Sequence, residues 1–184
     1  MKWLAGILIV VLVIGFWIVG LYNGLVGRDQ AVKQNWAQVE TQLQRRYDLI
    51  PNLIETVKGY TKHESGVFEE VTKARSAWAG AKTQNDKVTA ANQMEGSLGR
   101  LIAVAENYPQ LKASENFRAL QDELAGTENR IAVARMRYND AVTEYNVGAK
   151  RIPTVFFVSM FGFDKEKTFF EAAKGAAEAP KVKF

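Results

Sequence analysis

Few side chains in this sequence have the chemistry and spacing of a metal site. His63 is the only histidine, and there is no cysteine. Asp48 and Glu55 lie seven residues apart and so share one face of a helix, and further carboxylates occur in other segments at Glu106, Glu123 and Glu128. Helical bundles that hold a di-iron centre use Glu-x-x-His pairs, and His63 has no such partner. We therefore expect His63 on the surface near a helix end, the carboxylates solvated or paired with arginine, and no metal ligands.

Signatures of nucleophilic or phosphate-binding chemistry are also missing. Ser97 lies in the stretch GSLG at residues 96–99, which lacks the Gly-x-Ser-x-Gly spacing of a nucleophile elbow. Neither the Gly-x-x-x-x-Gly-Lys loop nor the Gly-x-Gly-x-x-Gly turn occurs. The sequence predicts no catalytic or cofactor-binding residue, so we expect a protein that is not an enzyme and has no cofactor.

Arg45 and Arg46 are adjacent basic residues that precede Tyr47 and Asp48. They could bind an anionic partner, but pairing with carboxylates on a neighbouring helix is the favoured interpretation. The whole chain has 24 basic and 20 acidic residues, a net charge of +4, and the two signs are interspersed. This is a mixed-charge surface rather than a basic stripe, which argues against nucleic acid as a partner.

The elements that position these side chains begin with an apolar N-terminal segment. Trp3–Gly27 has no charged residue over 25 positions, and as a helix it would be ~37 Å long against a hydrocarbon core of ~30 Å. A cleaved signal peptide would have a shorter apolar core and an Ala-x-Ala-like site. We therefore predict a retained transmembrane anchor over residues 1–27. Its membrane-spanning aromatic residues are Trp3, Phe16, Trp17 and Tyr22, of which those near the ends suit the interface.

Gly20 and Gly24 form a Gly-x-x-x-Gly pair near the end of this span. In lipid such a pair allows two helix backbones to approach closely, although glycine is also common in membrane helices for other reasons. We take the pair as a possible helix-packing face and expect homo-oligomers.

After Arg28 the pattern becomes that of amphipathic helices. The first continues from the anchor to about Gly59, with a bend at Pro51, and its core stripe recurs every three or four residues at Val32, Trp36, Val39, Leu43, Tyr47, Ile50, Ile54 and Val57. The predicted core of the second helix is Val67, Val71, Ala74 and Trp78, and that of the third, which ends before Pro109, is Val88, Ala91, Leu98, Ile102 and Ala105. The fourth helix has Ser114 as its N-cap and reaches about Lys150, with a stripe at Phe117, Leu120, Leu124, Ile131, Ala134, Tyr138, Ala141 and Tyr145.

These segments predict an all-α fold, because no strand-like alternation separates them. The N-terminal transmembrane helix should continue into an antiparallel up-and-down four-helix bundle over residues 28–152, since short connections make neighbouring helices antiparallel. The connection from Gly80 to Asp86 supplies turn and N-cap residues. If it only bends the helix, the second and third helices merge and the bundle has three long members.

Residues 153–184 form the predicted third segment, an apolar interfacial stretch and a C-terminal tail. Residues 152–163 are uncharged, too short to cross a bilayer as a helix, and bracketed by Lys150, Arg151, Lys165 and Lys167. This composition suits a membrane interface, with Phe156, Phe157, Phe161 and Phe163 at the acyl boundary and the cations toward anionic lipid. The alternatives are that these phenylalanines cap the open end of the bundle core or join an oligomer interface.

The distribution of basic residues around the span predicts an orientation. Lys2 is the only basic side chain before it, whereas Arg28, Lys33, Arg45 and Arg46 follow within about 20 residues. Positive-inside counting therefore favours a bundle on the cytoplasmic side of a single-pass protein in the cell membrane.

Several long motifs in this sequence resemble the LemA family. They are YNGLV at 22–26, QLQRRYDLIPNLIETVKGY at 42–60, AVAENYP at 103–109, ENF at 115–117, TENRIA at 127–132, YNDAV at 138–142, FGF at 161–163 and APKVKF at 179–184. The likeness covers nearly the whole chain in order. It implies a bacterial membrane protein with a four-helix bundle and no established biochemical activity, and magnetosome-membrane relatives suggest a role in membrane organisation.

Together these observations predict a membrane-anchored helical scaffold or adaptor. Its expected partners are the lipid bilayer, a second copy of the chain, and an unidentified membrane or envelope protein. The alternative is a carboxylate-based bundle that binds a metal or ligand and acts as an enzyme or sensor.

Overall fold

Every regular element that the structure contains is a helix. The structure is a computed structural model that describes residues 2–61 and 64–171, and within these ranges there is no strand. The helices are α1 (Lys2–Lys58), α2 (Ser65–Gly80), α3 (Gln84–Glu106), α4 (Pro109–Lys112), α5 (Glu115–Lys150) and α6 (Thr154–Phe157). The predicted all-α class is therefore confirmed. His63 and the predicted tail beyond Glu171 lie outside the described residues.

Helix α1 runs for 57 residues without interruption, through Pro51. This confirms that the anchor continues into the first amphipathic helix, and the bend at Pro51 stays a prediction. Its N-terminal part is apolar and exposed, with a mean hydropathy of 2.9 over 18 residues, none of them buried. By length and composition it is a candidate membrane span. Burial begins at Leu25, which is 0% exposed and lies inside the predicted anchor range.

The connections between the helices follow from local capping. The Thr83 hydroxyl accepts a hydrogen bond from the Asp86 amide at 3.1 Å, and the Asp86 carboxylate accepts one from the Thr83 amide at 3.2 Å. This reciprocal capping box starts α3 and keeps it separate from α2, so the two helices do not merge. The third helix ends at Glu106 as expected, and Pro109 then begins the short helix α4, because proline suits the first turn of a helix.

The described chain divides into two compact units. Unit 1 consists of residues 2–39 and 134–169, and unit 2 of residues 40–61, 64–133 and 170–171. In unit 1, α1 and α5 are antiparallel: Arg28 lies against Gly148, and the Trp36 and Tyr138 rings are 5.4 Å apart.

Unit 2 contains the C-terminal part of α1, helices α2, α3 and α4, and the first part of α5. The Tyr47 and Trp78 rings, 4.7 Å apart, join α1 to α2, and Arg46 pairs with Glu128 to join α1 to α5. The described contacts are compatible with the predicted antiparallel four-helix bundle, which stays a prediction. Most of the predicted core positions are buried, but α2 buries Phe68 rather than Val67. Helix α3 buries Met94 and Leu101, whereas the predicted Val88 and Ile102 are only partly buried.

Candidate functional site

The chain after α5 forms a compact apolar turn over residues 152–163. Gly162 has a φ of +78°. Its amide donates to the Ser159 carbonyl at 3.2 Å, and the Phe163 amide donates to the Val158 carbonyl at 3.0 Å. These two bonds and the left-handed residue make a Schellman motif, which glycine adopts without a Cβ clash. The motif reverses the chain and ends the turn.

The turn packs on Tyr22, near the end of the apolar part of α1. The Phe161 ring meets the Tyr22 ring edge-on at 5.3 Å, the Phe163 ring lies 5.8 Å from it, and Phe157 stacks on Phe161 at 5.8 Å. Three of the four aromatic residues predicted for a membrane interface are thus brought together around Tyr22. The fourth, Phe156, is 73% exposed.

Residues 164–169 have no regular secondary structure and lie along the α1–α5 pair; we call them the strap. The Asn146 side chain makes two hydrogen bonds with the Lys167 backbone: it accepts from the amide at 2.7 Å and donates to the carbonyl at 3.0 Å. The Tyr145 hydroxyl donates to the Asp164 carbonyl and the Tyr138 hydroxyl to the Thr168 carbonyl, both at 2.7 Å. Side chains of α5 therefore supply the hydrogen bonds that a neighbouring strand would otherwise give.

An ion cluster centred on the buried Asp29 fixes the strap to α1. The Asp29 carboxylate, in a residue only 6% exposed, accepts from Lys33 at 2.7 Å and from Lys167 at 3.0 Å, and Lys167 also contacts Asp164 at 2.6 Å. Burial alone would raise the pKa of Asp29, but hydrogen bonds and charges from the two lysines outweigh it and hold that pKa below its ordinary value of 3.8. Burial would likewise lower the pKa of Lys167, but Asp164 and Asp29 raise it above 10.5. Both charges are favoured in the folded protein.

Tyr22 and Asp29 lie on the same face of α1. They are seven residues apart, or about two helical turns and ~10 Å along the axis. The apolar turn on Tyr22 and the strap on Asp29 therefore follow one line along the helix.

Arg28, next to Asp29 on α1, lies between α1 and α5. A Cβ at Gly148 would lie only 2.9 Å from the Arg28 side chain, whose guanidinium donates to the Gly24 carbonyl at 3.4 Å. Glycine at position 148 is what allows the arginine to cross this close to the α5 backbone.

The predicted helix-packing glycines differ in their surroundings. A Cβ added to Gly20 would meet nothing within 4 Å, and one added to Gly24 would meet only the Arg28 guanidinium at 3.6 Å. The face at these glycines is thus open within the described chain.

The carboxylates considered as metal ligands are mostly engaged elsewhere. Asp48 accepts from Gln44, Glu55 pairs with Lys58, Glu123 with Arg130 and Glu128 with Arg46. Across residues 2–61 and 64–171, no group of three or more His, Asp or Glu side chains is placed to hold a metal ion.

Unit 2 has an open cleft of about 900 Å³ between α1 and the α2–α3 hairpin. Trp78, with Lys87 5.7 Å over its ring, forms an aromatic part of the wall. Arg46 pairs with Glu128, as favoured from the sequence, whereas Arg45 faces this cleft together with Arg75. Within the part of the chain described, neither Arg45 nor Arg75 is in an ion pair.

The sequence analysis missed Asp29 and Asn146, which hold the strap, and it directed Lys167 toward anionic lipid, whereas Lys167 pairs with Asp29. One signal was available, because Asp29 continues the spacing of the buried residues Leu25 and Val32. A charged residue at a core position indicates a buried partner. Nothing in the sequence identified Lys167 as that partner.

Comparisons with known proteins identify a family and several relatives. The profile of the LemA family matches residues 35–184. Magnetosome protein MamQ 2 of Paramagnetospirillum magneticum is 23% identical over 180 residues, covering 84% of this chain and 66% of that protein. Protein LemA of Metamycoplasma hominis is 28% identical over 145 residues, covering 76% of this chain and 66% of that protein. The chain thus spans about two thirds of the length of these relatives.

Proposed function

We propose that this chain, which belongs to the LemA family, is a membrane-anchored scaffold or adaptor that presents a helical surface to a protein partner. The MamQ relatives carry the name magnetosome protein, which is consistent with a role in organising a membrane. No catalytic step is part of the proposal.

The observation that carries the proposal is the continuity of α1. The same helix has an exposed apolar part long enough to cross a bilayer and a C-terminal part whose residues Val39, Leu43 and Ile50 are fully buried. With no linker between them, a membrane anchor of this kind holds a folded helical structure close to the lipid surface. That is the requirement for a scaffold acting at a membrane.

The cleft of unit 2 is the surface we assign to the partner. Arg45 and Arg75 supply two guanidinium groups to the lining of this cleft, and arginine is one of the residue types that dominate protein interfaces. Free guanidinium groups select carboxylates through bidentate hydrogen bonds. The occupant we propose is an acidic helical or extended segment of another membrane or envelope protein.

Photo-crosslinking in native membranes tests this assignment. A photoreactive amino acid at Ser76 or Ala79, two exposed residues that line the cleft, should capture the same protein through an acidic segment from either position of the full chain, identified by mass spectrometry. The same group at the exposed Arg118, also in unit 2, should not. Charge reversal at the cleft, Arg45→Glu with Arg75→Glu, should abolish the adduct while helical content stays unchanged. Equal capture from Arg118, or an adduct that survives charge reversal, would overturn the proposal.

The opposing function is a carboxylate-based metal or ligand-binding bundle. The engagement of Asp48, Glu55 and Glu128 with side chains of their own unit favours the scaffold. Metal analysis of the purified full chain separates the two functions, because stoichiometric iron, manganese or zinc would support the second.

We place unit 2 on the cytoplasmic side of the cell membrane. The support is the excess of basic residues after the span, with Arg28 and Lys33 nearest to it. A reporter fused after Phe184 tests the orientation, since alkaline phosphatase activity there would contradict it.

A further inference from the structure

We propose that the apolar turn at residues 152–163 is a second membrane contact, seated in the headgroup region beside the span. This inference rests on the proposed membrane anchoring by α1. It assigns to the turn a partner of defined chemistry, the interface of an anionic bilayer.

The first argument is the height of the turn along α1. From Trp3 to Tyr22 the helix advances ~29 Å, which matches the ~30 Å hydrocarbon core of a bilayer. Tyr22 then lies at the boundary, where tyrosine is favoured because its ring is apolar and its hydroxyl polar. The Phe161 ring is 5.3 Å from the Tyr22 ring, so the turn lies at the same boundary.

The second argument is the division of the turn into a packed side and an exposed side. Val158 is 1% exposed, and Phe157 and Phe161 stack on one another. On the other side, Ile152 is 80%, Phe156 73% and Met160 68% exposed. The packed side already holds the turn on Tyr22, so the exposed side chains are free for an external apolar phase.

The third argument is charge. Arg151 and Lys165 flank the turn, are exposed, and form no ion pair within the described residues. Lys150 and Lys167, which also bracket the turn in sequence, are engaged by Glu166 and Asp29. Two cations therefore remain for anionic headgroups next to the exposed apolar side chains, the combination found in interfacial membrane segments.

A second copy of the chain is the competing occupant. The bilayer is preferred because the exposed side of the turn is at the level where the exposed apolar surface of α1 begins, so both are covered by one continuous phase. A partner chain would need an apolar patch at the same height to do this.

Spin-label accessibility in the full chain tests the proposal, because the protein has no cysteine and each label is unique. Met160→Cys and Met136→Cys form a matched pair in unit 1, since the two methionines are 68% and 57% exposed. Tyr138, two residues from Met136, contacts Trp36, which is ~21 Å along α1 from Tyr22. A label at Val13→Cys in the middle of the span reports the anchor.

In nanodiscs with anionic lipid, the ratio of oxygen to water-soluble nickel-chelate accessibility should be several-fold higher at position 160 than at position 136. It should be highest at position 13. A water-like ratio at 160 together with a lipid-like ratio at 13 would overturn the membrane contact and leave the anchor intact. Water-like ratios at both positions would overturn the anchor itself. Low accessibility to both reagents at 160, with spin–spin broadening that dilution by unlabelled chain removes, would assign the turn to a second copy and also overturn the proposal.

Discussion

The two units of this protein are stabilised in different ways. In unit 2, helices pack through apolar faces such as Leu53 and Leu101, and the charged pairs are exposed, as in Arg100–Glu70, or partly buried, as in Arg46–Glu128. In unit 1, a charged residue, Asp29, and an amide, Asn146, are themselves buried.

The difference follows from how the backbone amide and carbonyl groups of each unit obtain their hydrogen-bond partners. A helix satisfies most of its own amide and carbonyl groups, so an apolar stripe is enough to dock it. The strap is neither helix nor strand, so its backbone takes its hydrogen bonds from Asn146, Tyr145 and Tyr138. An irregular segment therefore requires specific polar partners at specific positions.

The largest effect should come from the apolar packing of unit 2. Leu101→Ala removes a fully buried side chain from α3 and should lower the free energy of unfolding by about 2–5 kcal/mol. Ile102→Ala, at the neighbouring and only partly buried position, should cost clearly less. Thermal unfolding of the full chain in detergent, followed by circular dichroism, measures both. A larger loss from Ile102→Ala would mean that α3 uses the face predicted from the sequence, and equal losses would mean that the two positions are equally buried.

A smaller loss is expected from the polar anchoring of unit 1. Asn146→Ala leaves the Lys167 amide and carbonyl without their partner and should cost about 1–3 kcal/mol. The control in unit 2 is Asn107→Ala, whose exposed side chain makes a single long hydrogen bond of 3.4 Å, and we expect it within about 0.5 kcal/mol of the wild type. Hydrogen exchange at the Lys167 amide should also accelerate in the first variant. Unchanged exchange there would contradict the anchoring role.

Acid should weaken the strap and leave the helix faces of unit 2 intact. Because the pKa of Asp29 is lowered on folding, its stabilisation is present above pH 3.8 and is lost as pH falls through the lower folded value. Lys167, whose pKa is raised, keeps its proton throughout this range and loses its contribution only above pH 10.5. Each unit of pKa difference corresponds to ~1.4 kcal/mol. A pH titration of Lys167 amide exchange should show the acid step in the wild type and not in Asp29→Asn.

The smallest effect on stability is expected at the glycines of the span. Gly20→Ile with Gly24→Ile should leave thermal unfolding within about 0.5 kcal/mol, since only the flexible Arg28 side chain lies near an added Cβ. If these glycines form a helix-packing face, the same variant should lose crosslinked homo-oligomers in membranes. Gly6→Ile with Gly15→Ile is the matched control, because an added Cβ there also meets nothing. An oligomer that persists in the Gly20 and Gly24 variant would be held by other contacts.

The sequence predicted the helices because their burial repeats. In α1, Val39, Leu43 and Tyr47 recur at the helical spacing, and all three are buried. In α3 the helical spacing of apolar residues alone did not identify the buried face. Leu101 and Ile102 are adjacent and both apolar, so a stripe through Leu98 and Ala105 can include either, and only packing against the neighbouring helices decides.

The strap was not predictable in the same way. Its contacts join residues such as Asn146 and Lys167, which are 21 positions apart and follow no period. Phe161 and Phe163 were identified as interfacial residues from composition, but their packing on Tyr22 depends on the chain reversal at Gly162. Such reversals place residues by backbone geometry, which hydrophobic patterning does not encode.

The absence of a break between Tyr22 and Asp29 has a consequence for bilayer thickness. If the span lies in lipid as proposed, a thicker bilayer is not matched by drawing α1 inward, because Arg28 and the buried Asp29 cluster would then approach the hydrocarbon. A thinner bilayer is not matched by moving α1 out of the membrane along its axis, because the exposed apolar side chains Phe16 and Trp17 would then enter water. A thinner bilayer must therefore be matched by tilting α1, and a thicker one by local thinning of the bilayer around the helix. Since the strap is fixed to that helix, membranes of different thickness would present unit 1 at different angles to the membrane plane.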